Sequence, residues 1–298
     1  MRTITLGLIA FVALIPPPER KQLIAHRGAS SYAPEHTLDA YRLALAQGAD
    51  FVEQDLAVSR DGVLVCIHDL TLERTTNVEE VFPDRFVQDT SGGAPARRWP
   101  VHDFTVAEIK RLDAGAWFDQ KFAGARVPTF QEAIDLVRGK AGLYPELKDP
   151  EFYRARGVSP EQLLAAALTS NSLVKNPATP VIIQSFDDTT LKHLARDLTG
   201  VPRVFLVEAR AIDRVDSAEK LREIATWATG LGPNKAIVQM RPELVKLAHA
   251  AGLTVTPWTF RSSNTGTYPS VKDEMAKFLY DYGVDAVFTD NPDQFPRR

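Results

Sequence analysis

KQLIAHRGASSYAPEHTLDAYRLALAQGADFVEQDLAV, residues 21–58, contains the alternation that decides the fold. An apolar run, KQLIAHRG, is followed by a helical pattern, TLDAYRLALAQG, and then by a second apolar run, ADFVEQDLAV. Thr37 is placed to cap the helix, because its side-chain oxygen accepts a hydrogen bond from a backbone N–H of the first turn. Leu38, Tyr41 and Leu45 recur on one face, and Gly48 ends the pattern. Strand-like runs return at GLYPELK (142–148), PVIIQSF (180–186), RVFLVEA (203–209), KAIVQM (235–240), TVTPWTF (254–260) and DAVFTD (285–290). Strands that are apolar nearly throughout belong to a parallel sheet covered on both faces, and their alternation with helices makes repeated βα units. The class is therefore α/β, and 298 residues suit one undivided α/β barrel.

Two segments break the repeat. Ser59-Arg60-Asp61-Gly62 separates VEQDLAV from VLVCIHD, and so short a turn fits a hairpin, since a parallel crossover needs about a dozen residues. With the turn at 59–62, Val58 would pair with Val63, which sets Cys66 opposite Asp55 and His68 opposite Glu53. The stretch from about Leu70 to Ala125 carries Pro83, Gly92-Gly93 and Pro95 with little strand pattern, so it is expected to be an excursion on the barrel, with helical spacing at FTVAEIKRL. No internal repeat, low-complexity tract or linker divides the rest, so residues 21–298 are expected to form a single domain with an insertion at about 70–125.

Composition narrows the partners. A formal net charge of −3 lacks the basic excess that nucleic-acid backbones demand, so any anion site is local. The apolar and charged fractions, 44% and 24%, are those of an ordinary folded domain rather than a disordered or multi-span chain. MRTITLGLIAFVALI, residues 1–15, puts one Arg ahead of a short apolar run, as a secretory signal does. It is too short to span a bilayer comfortably, so residues 1–20 are expected to be a removed leader, with a periplasmic or secreted mature chain and no stable membrane span. An apolar N-terminal element packed on the domain is the other reading of that run. Cys66 is the only cysteine, so no intramolecular disulfide forms.

The chemistry-bearing residues cluster at strand ends, which face the active site of a βα barrel at their carboxyl side. His26-Arg27-Gly28 ends the first strand; Arg27 offers a fixed donor fork for phosphate, and Gly28 permits close approach to the backbone. Glu53 and Asp55 lie two apart, hence on one face of an apolar strand. Like charges side by side there are tolerable with a hard cation between them, although structural ion pairing would also serve. Glu146 and Lys148 repeat that spacing: the Glu can complete a three-carboxylate oxygen site and the Lys can place a charge on a phosphate oxygen, unless the two simply pair. His68-Asp69 is a second histidine site or a strand-ending cap. Gln184, Phe186 and Trp258 are expected as pocket wall, and Asp290 and Asn291 receive no role.

HRGASSYAPEHT, GADFVEQDLAVSRDGVLVCIHD, PELK, QSFD, WTF and FTDNPD, in that order, resemble the glycerophosphodiester phosphodiesterase family from about residue 22 to the end. TTNVEEVFPDRF and RVFLVEA are similar to its periplasmic branch, which supports reading the leader as a signal. His36 stands where many members have Asn, but His there also resembles that branch. The resemblance implies a TIM-type (β/α)₈ barrel with a small inserted subdomain after His68-Asp69. It also implies a divalent ion, Ca²⁺ as in the periplasmic branch or Mg²⁺ as in other members, held by Glu53, Asp55 and Glu146. His26 and His68 would be catalytic, with Arg27 and Lys148 on the phosphate. The implied reaction is metal-dependent hydrolysis of a glycerophosphodiester, such as glycerophosphocholine or glycerophosphoethanolamine, to glycerol 3-phosphate and an alcohol. A related barrel enzyme acting on lysophospholipids or sphingolipids is the neighbouring alternative. A non-catalytic exported binding protein has no use for two proton-transfer groups.

Overall fold

The computed structural model describes residues 20–90 and 94–297. The apolar leader through residue 19, with Pro16-Pro17-Pro18, and the Gly92-Gly93 pair lie outside the described residues. Eight parallel strands follow in chain order: β1 Gln22–Ala25, β2 Phe51–Val58, β3 Gly142–Leu147, β4 Ile183–Ser185, β5 Arg203–Val207, β6 Gly230–Pro233, β7 Thr254–Val255 and β8 Ala286–Thr289. Each pairs with the next from β2 to β7, while β1 lies between β2 and β8. The ring closes between β7 and β8, where Asp285 N donates to Val255 O (2.9 Å) and Phe260 N to Phe288 O (2.8 Å). Helices lie in the connections, among them Leu38–Ala46, Phe130–Val137, Pro160–Ser170, Asp188–Asp197 and Glu243–Ala250. This is the TIM-type barrel expected from the βα repeat.

The core is layered as such a barrel requires. Ile24, Phe51, Tyr144, Val204 and Phe288 meet inside the ring, with Tyr144 and Phe288 edge to face at 5.0 Å between centroids. Two larger clusters fill the space between strands and helices. Thr37 caps Leu38–Ala46 through the Ala40 N–H, and Tyr41 turns inward with Ala40 and Ala44.

Two expectations are corrected. KAIVQM is a helix, Lys235–Met240, capped by Asn234, and the strand is the preceding Gly230–Pro233. A short apolar run is ambiguous between buried strand and buried helix. The strand itself carries no β-branched signal because its glycines are dictated by crowding: a Cβ on Gly230 would stand 2.5 Å from Thr254 Oγ1, and one on Gly232 2.7 Å from Leu206 Cδ2. The hairpin exists, but one residue out of the expected register. Val58 faces Leu64 and Leu56 faces Cys66, and Ile67 N donates to Asp55 O at 2.9 Å. Ser59 N bonds Val63 O, so the loop is Arg60–Gly62, with Gly62 at φ +77°; this is the three-residue hairpin with a left-handed glycine, one residue shorter than the turn expected.

The chain beyond Leu64–Cys66 leaves the barrel and builds a cluster of its own. Leu72, Trp99, Phe104 and Leu112 pack there with Val65 and Ile67 of the hairpin. A two-stranded ribbon, Val87–Asp89 with Ala96–Arg98, lies at its edge. Helix Val106–Ile109 within it starts on a capping box of Thr105 and Glu108.

Candidate active site

β2, β3 and β4 set a row of polar side chains at one level of the barrel. The parallel register pairs Asp55 with Glu146, and Glu146 with Gln184. Glu53 lies one side-chain repeat below Asp55 on the same face. All four are buried. Lys148 Nζ sits 2.8 Å from Glu146 Oε1 and 3.8 Å from Asp55 Oδ1. Arg27, at the end of β1, donates its backbone N–H to Glu53 Oε2 at 2.6 Å. That donation uses a backbone in the left-handed region at both Arg27 (φ 55°) and Gly28 (φ 84°). Glycine is needed at 28, where a Cβ would lie 2.8 Å from the Cβ of Ala40; what approaches this backbone is the first helix.

Burial and mutual repulsion divide the carboxylates. Burial pushes Glu53 well above the usual carboxylate range, reinforced by Asp55 and only partly opposed by Arg27. Glu146 is raised to about 8, by burial first, with Lys148 opposing and Asp55 adding to the rise. Asp55 goes the other way: burial would raise it, but Lys148, His36 and Arg27 hold it well below its ordinary value. One carboxylate is thus fully ionised and two are held toward their neutral forms by crowding. A cation among them would restore the charge on both. Gln184 Oε1, buried in the same cavity, has no hydrogen-bond partner among the described residues, and an orphaned oxygen beside carboxylates suits a hard cation or its water.

His36 is the residue that the spacing argument passed over. One of its ring nitrogens, one oxygen of Glu53 and one of Asp55 lie within 4.8 Å of one another, a buried group that fits a divalent ion. Nε2 is also 2.8 Å from Asp55 Oδ2, and Nδ1 is 2.9 Å from Tyr41 Oη. The inward turn of Tyr41 in the first helix is what anchors this ring. Asp290 was also missed: it sits at a strand end, yet its partner is on the neighbouring strand, which sequence spacing does not reveal.

The two other histidines of the site share a design. His26 Nδ1 is 2.7 Å from Asp290 Oδ1, and His68 Nδ1 is 2.6 Å from Asp69 Oδ1. Burial opposes ionisation of both aspartates, but the histidines, with Arg261 near Asp290 and Arg74 on Asp69, keep them below the usual range. An ionised carboxylate only accepts, so each Nδ1 carries the proton and each Nε2 is left for exchange with a bound molecule. Burial, with the charge of Arg27, lowers His26 from its ordinary value, and Asp290 opposes this.

His68 lies just past Leu64–Cys66, and ion pairs tie it back to the barrel. Asp69 Oδ2 accepts from Arg74 Nε at 2.5 Å, and Arg74 makes a two-point contact with Glu35 at 2.7 and 3.0 Å. Glu35 accepts from Arg27 Nη1 at 3.0 Å. Burial works against the Glu35 carboxyl, but Arg74 and Arg27 pull it down to about 2. A continuous chain of charge therefore joins one histidine to the arginine beside the other.

All the side chains singled out from the sequence line one cavity of about 120 Å³. His26 and Arg27 come from β1, Glu53 and Asp55 from β2, and His68 from the chain after the hairpin. Glu146 and Lys148 come from β3, Gln184 and Phe186 from β4, and Trp258 from beyond β7. The polar row is part of its wall. Phe186 and Trp258 also line it and meet edge to face at 5.6 Å, and Trp258 Nε1 is fixed by a 2.8 Å bond to Gly232 O. The geometry offers two carboxylate-backed histidines, two cations and a carboxylate row around one small cavity, an arrangement chemically suited to hydrolysing a phosphate ester.

Known proteins resemble this chain over most of its length. Residues 26–294 match the model of the glycerophosphoryl diester phosphodiesterase family. A glycerophosphodiester phosphodiesterase of Bacillus subtilis is 34% identical over 312 residues, covering 98% of this chain and 94% of that one. Among solved structures, the glycerophosphodiester phosphodiesterase of Agrobacterium tumefaciens superposes with a TM-score of 0.69 at 30% identity, over 93% of this chain and 99% of that one. An Oleispira antarctica phosphodiesterase, solved with the product sn-glycerol-3-phosphate, gives a TM-score of 0.71 at 28% identity, over 92% and 94%. With its barrel, its carboxylate row and a match spanning nearly the whole sequence, the chain belongs to the glycerophosphoryl diester phosphodiesterase family.

Proposed function

We propose that this enzyme hydrolyses glycerophosphodiesters, such as glycerophosphocholine or glycerophosphoethanolamine, to glycerol 3-phosphate and the free alcohol. The observation that carries the reading is the pair of carboxylate-backed histidines, His26 on Asp290 and His68 on Asp69, lining one small cavity with the carboxylate row. The product bound in the Oleispira antarctica structure supports the same chemistry.

In this reading Glu53, Asp55 and Glu146 hold one divalent cation, and the raised carboxyls of Glu53 and Glu146 with the orphaned Gln184 oxygen fit that role. The buried group that fits an ion is His36, Glu53 and Asp55; in this reading Glu146 takes the third place and His36, whose ring nitrogens meet Tyr41 and Asp55, holds Asp55 in position. An all-oxygen set suits Ca²⁺, favoured by the likeness to the periplasmic branch, and also admits Mg²⁺. When bound, the cation supplies positive charge to the phosphoryl oxygens. Lys148 adds charge on the same side. Arg27 Nε is buried 3.2 Å from Asp55 but without a hydrogen bond, a donor that a phosphate oxygen would satisfy. One histidine takes the proton of the attacking hydroxyl at Nε2 while the other gives a proton to the leaving alkoxide, each worth about 10² to 10⁴-fold.

Export belongs to the same proposal: the Arg-led apolar leader and the likeness to the periplasmic branch support removal of the leader before Lys21 and a periplasmic or secreted mature chain. The mature chain is then one barrel domain with its insertion at about 70–125. Product analysis tests the function. Glycerophosphocholine should yield glycerol 3-phosphate and choline in equal amounts; glycerol with phosphocholine would place the cut at the other ester bond and overturn the reading.

A further inference from the structure

The two carboxylates that back the histidines are each gripped at both oxygens. Asp69 meets His68 Nδ1 with one oxygen and Arg74 Nε with the other, at 2.6 and 2.5 Å. Asp290 meets His26 Nδ1 with Oδ1 at 2.7 Å, and its Oδ2 lies 3.4 Å from Nε of Arg261. Among the described residues that is the one ion pair Arg261 forms. A carboxylate held at a single oxygen turns easily about its last side-chain torsion, whose minima are broad. A second contact at the other oxygen fixes its plane, and with it the ring it orients.

The closing register of the barrel brings Arg261 to this place. Phe260 pairs in parallel with Thr289, and Asp290 N donates to Phe260 O at 3.0 Å, so residues 261 and 290 come out side by side beyond the strand ends. The backbone that follows is stapled. Ser262 N donates to Oδ1 of buried Asn291 at 2.9 Å, and Asn291 Nδ2 donates to Tyr32 Oη at 2.9 Å. Asn264 N returns to Arg261 O at 3.1 Å, while Asn264 O accepts from Lys235 Nζ, itself paired with buried Glu274 at 2.7 Å. The Arg261 side chain also borders the catalytic cavity, but the acid it meets there is Asp290, whereas Arg27 and Lys148 stand beside Asp55 in the carboxylate row.

We propose that Arg261 is a positioning residue for the reaction: by holding Oδ2 of Asp290 it fixes the carboxylate plane that orients the His26 ring for proton exchange at Nε2. This rests on the diesterase reading above, in which His26 carries a proton. Asn291 and the Lys235–Glu274 pair hold the backbone from which Arg261 reaches, so the two residues at the last strand end act together, Asp290 on the histidine and Asn291 on the turn that carries its arginine.

A double-mutant cycle with glycerophosphocholine as substrate tests it. Arg261→Gln keeps a polar side chain but removes the charge, and kcat should fall about tenfold, within the coupling found between residues in contact. KM should stay within about twofold, because no contact with the substrate is lost. Arg261→Lys, which keeps a charge without the planar fork, should retain more of the rate than Arg261→Gln. In an Asp290→Asn background the Arg261→Gln change should cost less than about twofold, since the group through which it acts has gone. A tenfold loss that persists in that background, or a loss confined to KM, would place Arg261 on the substrate and overturn the positioning role while leaving the diesterase function standing. An unchanged kcat in Arg261→Gln, or a fall that merely tracks a lower Tm or lost metal, would overturn it too. Failure of the unaltered enzyme to release glycerol 3-phosphate would overturn the function itself, and this role with it.

Discussion

In the proposed reaction His26 and His68 do the same job from different structural settings. The first is mostly buried at the end of a barrel strand (13% of its side chain accessible), and the second follows a hairpin edge and is partly exposed (33%). Neither is a member of the group that fits the ion. His26→Ala and His68→Ala are each expected to lose at least ~10²-fold in single-turnover rate while binding the same amount of metal. Loss of metal with an intact fold would instead make that histidine a ligand. Asp290→Asn keeps the shape but removes the charge that fixes the His26 tautomer; a fall in kcat with little change in KM is the expected result, and an unchanged kcat would show that the pair is only structural. The chemistry-bearing residues were legible because strand-end position and two-residue spacing are local facts. Asp290, His36 and Glu35 were not, because each acts through a partner 8 to 264 positions away in the chain.

Elements bring those partners together, and here the sequence was less transparent. The hairpin was visible from its turn residues, but its register depended on whether the loop held three residues or four, which the left-handed Gly62 decides. Gly230–Pro233 was invisible as a strand because barrel crowding had replaced β-branched side chains with glycine. The chain Asp69–Arg74–Glu35–Arg27 fastens the excursion to β1. Part-exposed ion pairs are worth only about 0–1 kcal/mol, whereas a catalytic group misplaced by about 1 Å can cost ~10²-fold in rate. Arg74→Ala should therefore slow turnover markedly with a small change in Tm, and Arg74→Lys should recover part of the rate; a rate that simply tracks stability would contradict this. Stability at acid pH has a separate source in helix Pro160–Ser170. Burial raises the Glu161 carboxyl, but bonds from Thr190, its own backbone, Ser159 and Arg154 outweigh it and leave it lowered from 4.5. A depressed carboxyl stabilises the fold above its ordinary value, and that contribution is lost as pH falls below about 4.5. Glu161→Gln should cost roughly 1–3 kcal/mol at pH 7 and flatten the acid limb of a denaturation series; an acid limb as steep as the parent's would assign the pH dependence elsewhere.

At the scale of the whole molecule, the barrel gathers onto one rim residues drawn from positions 26 to 258. Among the described residues no helix is long and apolar enough to cross a membrane, and the net charge of −3 gives no general attraction for phosphates. In the proposed reaction anion binding therefore falls to Arg27, Lys148 and a cation held by the carboxylate row. The most direct measurement is release of glycerol 3-phosphate from glycerophosphocholine by purified enzyme after exhaustive chelation, with metal content verified, and again after adding back Ca²⁺ or Mg²⁺. Activity should vanish with the metal and return with it, because Glu53, Asp55 and Glu146 crowd one another around a site that needs positive charge. Full hydrolysis by enzyme shown to be free of metal would contradict the account.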